Sequence, residues 1–291
     1  MNTTPNYFEW FLRELLRWSK STALLVVTLV GAFMIFTSIM GTVSNRAPEL
    51  EQGLIDEKTF SDIVLSMSFA GSMFTAILGI VIVTGDFTTK FSTRLFLFNR
   101  LPFALMVVKA MVAAILGLVS GAIILVTSWF STQGVLAARG YEFFPPDNPW
   151  QWAGGYLVMF TLTAIWGVAL GFIFRNTVVG IVFHVFYLMT IERTVKDIFP
   201  EMKKWLPGGA QSAIVNDYTM PGHLGFWSGV GVYSLWILGL FVITALLLMK
   251  FNRPLVPSLT EIITKRFSFT KKPATNTQTP EVTAKPQPIT R

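Results

Sequence analysis

The sequence has no cysteine, only two histidines, and charged residues at just 13% of positions. The missing cysteines exclude a disulfide framework, a thiolate metal site and a cysteine nucleophile, and leave the redox compartment open. His184 falls in an apolar segment and His223 in a polar one, so neither has a ready partner for a metal ion. The shortage of charge excludes more. A soluble domain usually carries about 25% charged residues, whereas here 52% of the chain is hydrophobic. Long runs of Phe, Leu, Val and Ile leave too little polar side chain for a water-facing surface, so lipid has to be the outer solvent. The Gly-x-x-x-x-Gly-Lys-Ser/Thr phosphate loop, His-Glu-x-x-His and Gly-x-Ser-x-Gly are also missing. No motif binds nucleotide or supplies a hydrolytic nucleophile, and the chain is not expected to be an enzyme.

What is present is a series of long apolar segments. A helix needs about 20 mainly apolar residues to cross the hydrocarbon core. Five segments meet that length, at 22–43, 63–84, 103–130, 152–174 and 227–249. A sixth, 178–191, does so only if Arg175 and Glu192 lie at opposite interfaces. The expected fold class is an all-α integral membrane protein with six transmembrane helices in a domain spanning 22–249. The first apolar run exceeds the roughly 7–15 residues of a signal-peptide core and reads as a retained anchor. With both termini cytoplasmic, 16 of the 23 basic residues fall inside and 11 of the 16 acidic residues outside. That bias is the positive-inside pattern of a multi-pass protein of the cell membrane. The net charge of +7 is therefore a topology signal and calls for no nucleic acid.

Segments 1–21, 85–102, 192–226 and 250–291 lie outside the predicted core. Within the first, Phe8, Phe11, Leu12, Leu15 and Leu16 recur at helical spacing opposite Glu9, Arg13, Glu14 and Arg17. This amphipathic helix should lie in the interface, either as a simple anchor or as an elbow that moves with the first span. In 85–102, Phe87, Phe91, Leu95 and Phe98 alternate with Asp86, Lys90, Arg94 and Arg100. The pattern suits a short surface helix available to dock a partner, or a basic interfacial anchor. The run Ala210 to Val215 in the outer loop is too short to cross. It can dip into the outer leaflet only where other helices satisfy its backbone, and a plain surface loop is the alternative. Pro254 and Pro257 end the last helix, Ser258 with Glu261 forms a capping box, and disorder is expected from about 270.

Ionisable groups inside a membrane are costly. Lys109 lies near the inner end of its span and is expected to snorkel to the interface. His184 is expected to hydrogen-bond across helices. Glu192 and Arg193 read as interface charges, with an exit gate as the alternative. No series of carboxylates forms a proton wire. Gly117 with Gly121, and Gly167 with Gly171, are small-residue pairs that let helix backbones approach closely.

Three stretches together are similar to a known family: Gly85 through Arg100 and Pro102 to Lys109, the GFIFRNTVVGI segment from Gly171 to Ile181, and the WLPGGAQSAIV segment from Trp205 to Val215. With the elbow helix and six-span plan, they resemble the permease subunits of type-2 ATP-binding-cassette (ABC) exporters over roughly residues 7–250. Asp86 stands where many relatives carry Glu. The resemblance implies that family's permease architecture, with Asp86, Phe87, Lys90, Phe91, Thr93 and Arg94 on a coupling helix that docks on a separate ABC ATPase. It implies two ATPase copies, a second permease that is identical or related, and ATP and magnesium held by the ATPase alone. No catalytic, cofactor or metal residue is expected in this chain. From the residues alone, a secondary carrier or channel using Lys109 and His184 stays open, as does an anchor, sensor or intramembrane enzyme.

Overall fold

In lipid a backbone N–H or C=O has no solvent partner, so an apolar segment satisfies itself by coiling into a helix. The computed structural model describes residues 7–88, 102–215 and 224–251, and among them the regular elements are all helical. Helix α1 is Tyr7–Ser19 and α2 is Thr22–Glu51. Then α3, Glu57–Ser66, runs through a 3-10 turn, Met67–Ala70, into α4, Gly71–Thr88. Next come α5, Pro102–Ala138, α6, Pro149–Phe174, and α7, Thr177–Phe186. A π turn, Tyr187–Ile191, leads into α8, Glu192–Ile198, and a 3-10 turn, Pro200–Trp205, into α9, Pro207–Val215. The last is α10, Phe226–Phe251. Six stretches are long and apolar enough to cross a membrane: Thr22–Glu51, Glu57–Phe87, Phe103–Ala138, Pro149–Phe174, Thr177–Ile198 and Phe226–Leu247. The expected six-helix, multi-pass plan is thus present.

The bounds differ in instructive ways. Helix α2 has 30 residues and α5 has 37, about 45 and 55 Å of helix, so both project beyond a core of about 30 Å. The projecting ends are polar and tied together. Arg139 Nη2 donates to Ser44 Oγ at 2.8 Å, Tyr141 Oη donates to Glu51 Oε1 at 2.8 Å, and Lys58 pairs with Asp147. Apolar length alone located the crossing part of each helix and missed this extension.

The fifth span is corrected most. Predicted as 178–191 with Glu192 at the interface, it continues as helix to Ile198, 22 residues in all, or about 33 Å. Glu192 does not end it, because the carboxylate is buried and pairs with Lys196 one turn on, at 2.8 Å. The five-residue π turn makes this placement possible. His184 and Glu192 are eight residues apart, which leaves them about 80° out of line on a straight α-helix. A turn of i→i+5 bonding absorbs roughly one extra residue and brings both onto the buried face.

Helices α4 and α6 form the middle of the molecule, and α6 is apolar on every side, as a surrounded helix must be. Their backbones touch. A Cβ added at Gly79 would strike the Ala164 carbonyl oxygen, and one at Gly167 would strike the Ala76 carbonyl oxygen. The other predicted glycines also sit at contacts: Gly117 and Gly121 against Ala164 and Phe160, and Gly171 against Val83 and Ile80. Helix α6 starts on an Asn148 cap that accepts the Gln151 N–H at 3.2 Å. It ends at Arg175 in the left-handed region, φ 49°, whose N–H reaches Gly171 O at 2.9 Å. Asn176 then caps α7 by accepting the Val179 N–H at 3.2 Å. A two-residue turn centred on Arg175 is therefore what joins the fourth and fifth spans.

All nine residues of α9 are buried, so the predicted run Ala210 to Val215 is no plain surface loop. It packs between α6 and α10: a Cβ at Gly155 would lie 2.6 Å from the Ile214 carbonyl oxygen, and one at Gly229 would lie 2.9 Å from that of Ala210. The predicted loop beyond Thr88, the Ser258–Glu261 cap and the tail from 270 fall outside the described residues.

Candidate functional site

Among the described residues, the largest concentration of buried charge lies where α1 meets the end of α4 and the start of α5. Helix α1 turns Phe8, Leu12 and Leu16 outward, while Glu14 and Trp18 face the protein and are buried. Lys109 of α5 is 1% exposed. Its Nζ donates to Glu14 Oε2 at 2.9 Å and to the Ile82 carbonyl at 3.4 Å, and it pairs with Asp86. Arg17 Nη2 lies 3.0 Å from Glu14 Oε2 and donates to Asp86 Oδ1. Two carboxylates and two cations thus close on one another. The Trp18 ring stacks on the cluster, with Arg17 Cζ at 5.2 Å and Lys109 Nζ at 5.5 Å from its centroid, distances at which a cation is attracted to the ring face. Gly85 makes room for the indole, since a Cβ there would come within 2.8 Å of it.

This arrangement corrects the expected snorkelling of Lys109. The ammonium group turns inward because partners of opposite charge are closer than water. Buried ions lose hydration worth several kcal/mol each, and only a closed set of opposite charges offsets that loss. The cluster fastens α1 to the second and third spans, while the short link Lys20–Ser21 joins it to α2.

Of the predicted docking residues, Asp86 and Phe87 lie in the last turn of α4. Asp86 is buried in the cluster. Phe87 meets Phe172 edge-on at 6.3 Å and has the Arg175 guanidinium 5.5 Å from its ring centroid. Lys90, Phe91, Thr93 and Arg94 fall outside the described residues.

A second polar group sits between α6, α9 and α10. Gln211 Nε2 donates to Tyr233 Oη at 2.7 Å and to Thr163 Oγ1 at 3.1 Å, and Tyr233 Oη lies 3.2 Å from Thr163 Oγ1. Beside it, Glu192 faces the first turn of α9, where a Cβ at Gly208 would run into the carboxylate. His184 does not make the expected bond across helices: it is 2% exposed and neither ring nitrogen has a hydrogen-bond partner. One turn earlier the same face rests on apolar Ile80 through Gly180. Among the described residues no group of three His, Cys, Asp or Glu side chains could hold a metal ion.

The sequence reading missed Glu14 as a partner for Lys109, because the two are 95 positions apart and Glu14 reads as part of a solvated face. No protein family, curated protein or solved structure matches the chain.

Proposed function

We propose that this protein is the membrane permease of an ATP-driven exporter of the type-2 ABC class, energised by a separate ATPase. The observation that carries the reading is the ionic cluster, which joins an interfacial helix to the end of α4, where the basic and aromatic segment 89–101 begins. A docking segment anchored in this way can pass a partner's movement to α1, α4 and α5 together. Lys90, Phe91, Thr93 and Arg94 then make the docking face, while Asp86 and Phe87 hold its start in place. The buried six-span body and the inserted α9 fit a pathway formed between two such permeases, identical or related, with two ATPase subunits supplying ATP hydrolysis and binding ATP and magnesium. The chain itself contributes no catalysis in this scheme. The substrate class suited to it is a drug-like, peptide or lipid- or glycan-linked molecule, exported by alternating access.

Co-purification tests the proposal. An ABC ATPase encoded beside this chain should bind the wild type and lose at least ten-fold in recovery after Lys90→Glu, Arg94→Glu and Phe91→Ala are combined. Equal recovery would remove the coupling segment from the scheme. ATP-independent, proton-driven transport by the permease alone would favour a secondary carrier, for which buried His184 and Glu192 are the groups to examine.

Orientation has its own test, helped by the lack of native cysteine. With both termini cytoplasmic in the cell membrane, single cysteines at Ser44 and Asn148 should react with an impermeant thiol reagent in intact cells. One at Ser268 should react only after lysis. The reverse pattern would invert the topology.

A further inference from the structure

At the ends of α2 and α5 farthest from α1, an open groove of about 500 Å³ runs between the two helices. That volume lies in the range of small-molecule clefts. Phe36 and Met40 form one wall, Phe130 and Val135 the other, Gly134 adds to the lining, and Arg139 stands at one end. We propose that this groove binds an anionic membrane lipid, one acyl chain lying along the apolar walls and the phosphate resting on the Arg139 guanidinium.

Depth supports the assignment. The hydrogen bond between Thr28 and Ser120, 2.8 Å, and that between Arg139 and Ser44, 2.8 Å, set α2 and α5 parallel, with residue numbers rising together along both helices. Helix α2 leaves the interfacial helix at Thr22, and a crossing of about 20 residues ends near residue 42. The groove walls therefore lie within the last turns of the hydrocarbon layer, and Arg139, bonded to Ser44, lies just beyond, at the level of lipid phosphates.

Charge supports it too. Arg46 on the same end is neutralised by Glu49 at 2.7 Å. Arg139 forms no ion pair with a described carboxylate, and only Ser44, among described side chains, receives a hydrogen bond from it. A guanidinium carries five N–H donors in a fork that fits phosphate, so most of its capacity faces outward over an apolar slot. Gly134 has no packing reason within the chain: a Cβ there would meet nothing within 4 Å. Glycine weakens a helix interior, and here it keeps the slot open.

The test uses the full chain in phosphatidylcholine vesicles containing 1 mol% of a phosphatidylglycerol or phosphatidylcholine bearing a diazirine on its acyl chain, with cross-links mapped by mass spectrometry. The phosphatidylglycerol probe should label segments 36–40 and 130–138, and unlabelled phosphatidylglycerol should compete better than phosphatidylcholine. Arg139→Gln should reduce that labelling about five-fold, the factor that corresponds to about 1 kcal/mol for one basic contact at a membrane surface. Gly134→Phe should abolish it, with thermal unfolding of both variants confirming that they fold; if Gly134→Phe does not fold, Arg139→Gln decides alone. Equal labelling by the two probes, or unchanged labelling in Arg139→Gln, overturns the proposal. So does a cross-linked second copy of the chain covering the groove.

Discussion

Gly167→Ala is expected to destabilise the protein, although alanine is the better helix former by about 1 kcal/mol. The sign of the change is the informative part. In a loosely packed helix the substitution would stabilise through propensity alone. Here the added methyl meets the carbonyl oxygen of Ala76, a backbone atom that cannot rotate away, so α4 and α6 must move apart. Overpacking of this kind costs about 1–3 kcal/mol and sometimes more, and so close an approach to a backbone atom puts this site at the upper end. After the propensity gain of about 1 kcal/mol, thermal unfolding in detergent should show a net loss of roughly 1–2 kcal/mol. Gly79→Ala should behave alike, because it strikes Ala164 across the same crossing. The double variant should cost less than the two losses together, since the first methyl has already separated the helices. Gly134→Ala is the control, with open space at its Cβ, and should leave stability unchanged or raised. A Gly167→Ala protein as stable as the wild type would refute the close crossing.

Lys109→Met should be the single change most damaging to the seating of α1. It leaves the Glu14 and Asp86 carboxylates buried with Arg17 as their remaining cation. Breaking a buried pair from one side typically costs about 3–5 kcal/mol, largely because the abandoned charge stays in a poor solvent. Glu14→Gln added to Lys109→Met restores the balance of charge, so the double variant should be more stable than Lys109→Met alone. The coupling should survive high salt, which screens exposed pairs far more than buried ones. Limited trypsin digestion gives a local reading: cleavage at Arg17 and Lys20 should speed up in Lys109→Met and slow again in the double variant. If Lys109→Met matches the wild type in both assays, the lysine reaches water and the cluster has no hold on α1.

The six crossings were legible because apolar length is a property of contiguous sequence, and lipid demands it of every span. The fifth was read too short because Glu192 looks like an end when only its neighbours in sequence are considered. Its acceptance inside depends on Lys196, a π turn and the approach of Gly208 from a separate helix. Tight helix contacts were legible at Gly117, Gly121, Gly167 and Gly171, since a missing side chain marks a place of approach. The partners Ala76 and Gly79 were not, because nothing in a sequence says which spans cross. The ionic cluster was hidden for the same reason: Glu14, Asp86 and Lys109 share no spacing rule and meet only after three segments have packed. Conversely, the clustering of basic residues in particular segments was plain from the sequence, because it is a count along the chain, while the docking role proposed for Lys90 and Arg94 is a matter of contacts outside the chain.

The Glu14–Lys109 bond also carries a timetable. Helix α1 leaves the ribosome long before its lysine partner, which follows 95 residues later. At about 5–20 residues per second, Glu14 waits on the order of 5–20 s with its charge turned to water. During that interval the helix can lie on the membrane surface only by its outward Phe8, Leu12 and Leu16 edge. It takes its final seat when α5 is made, so α1 precedes α2 to α5 in synthesis and is locked in place only after them.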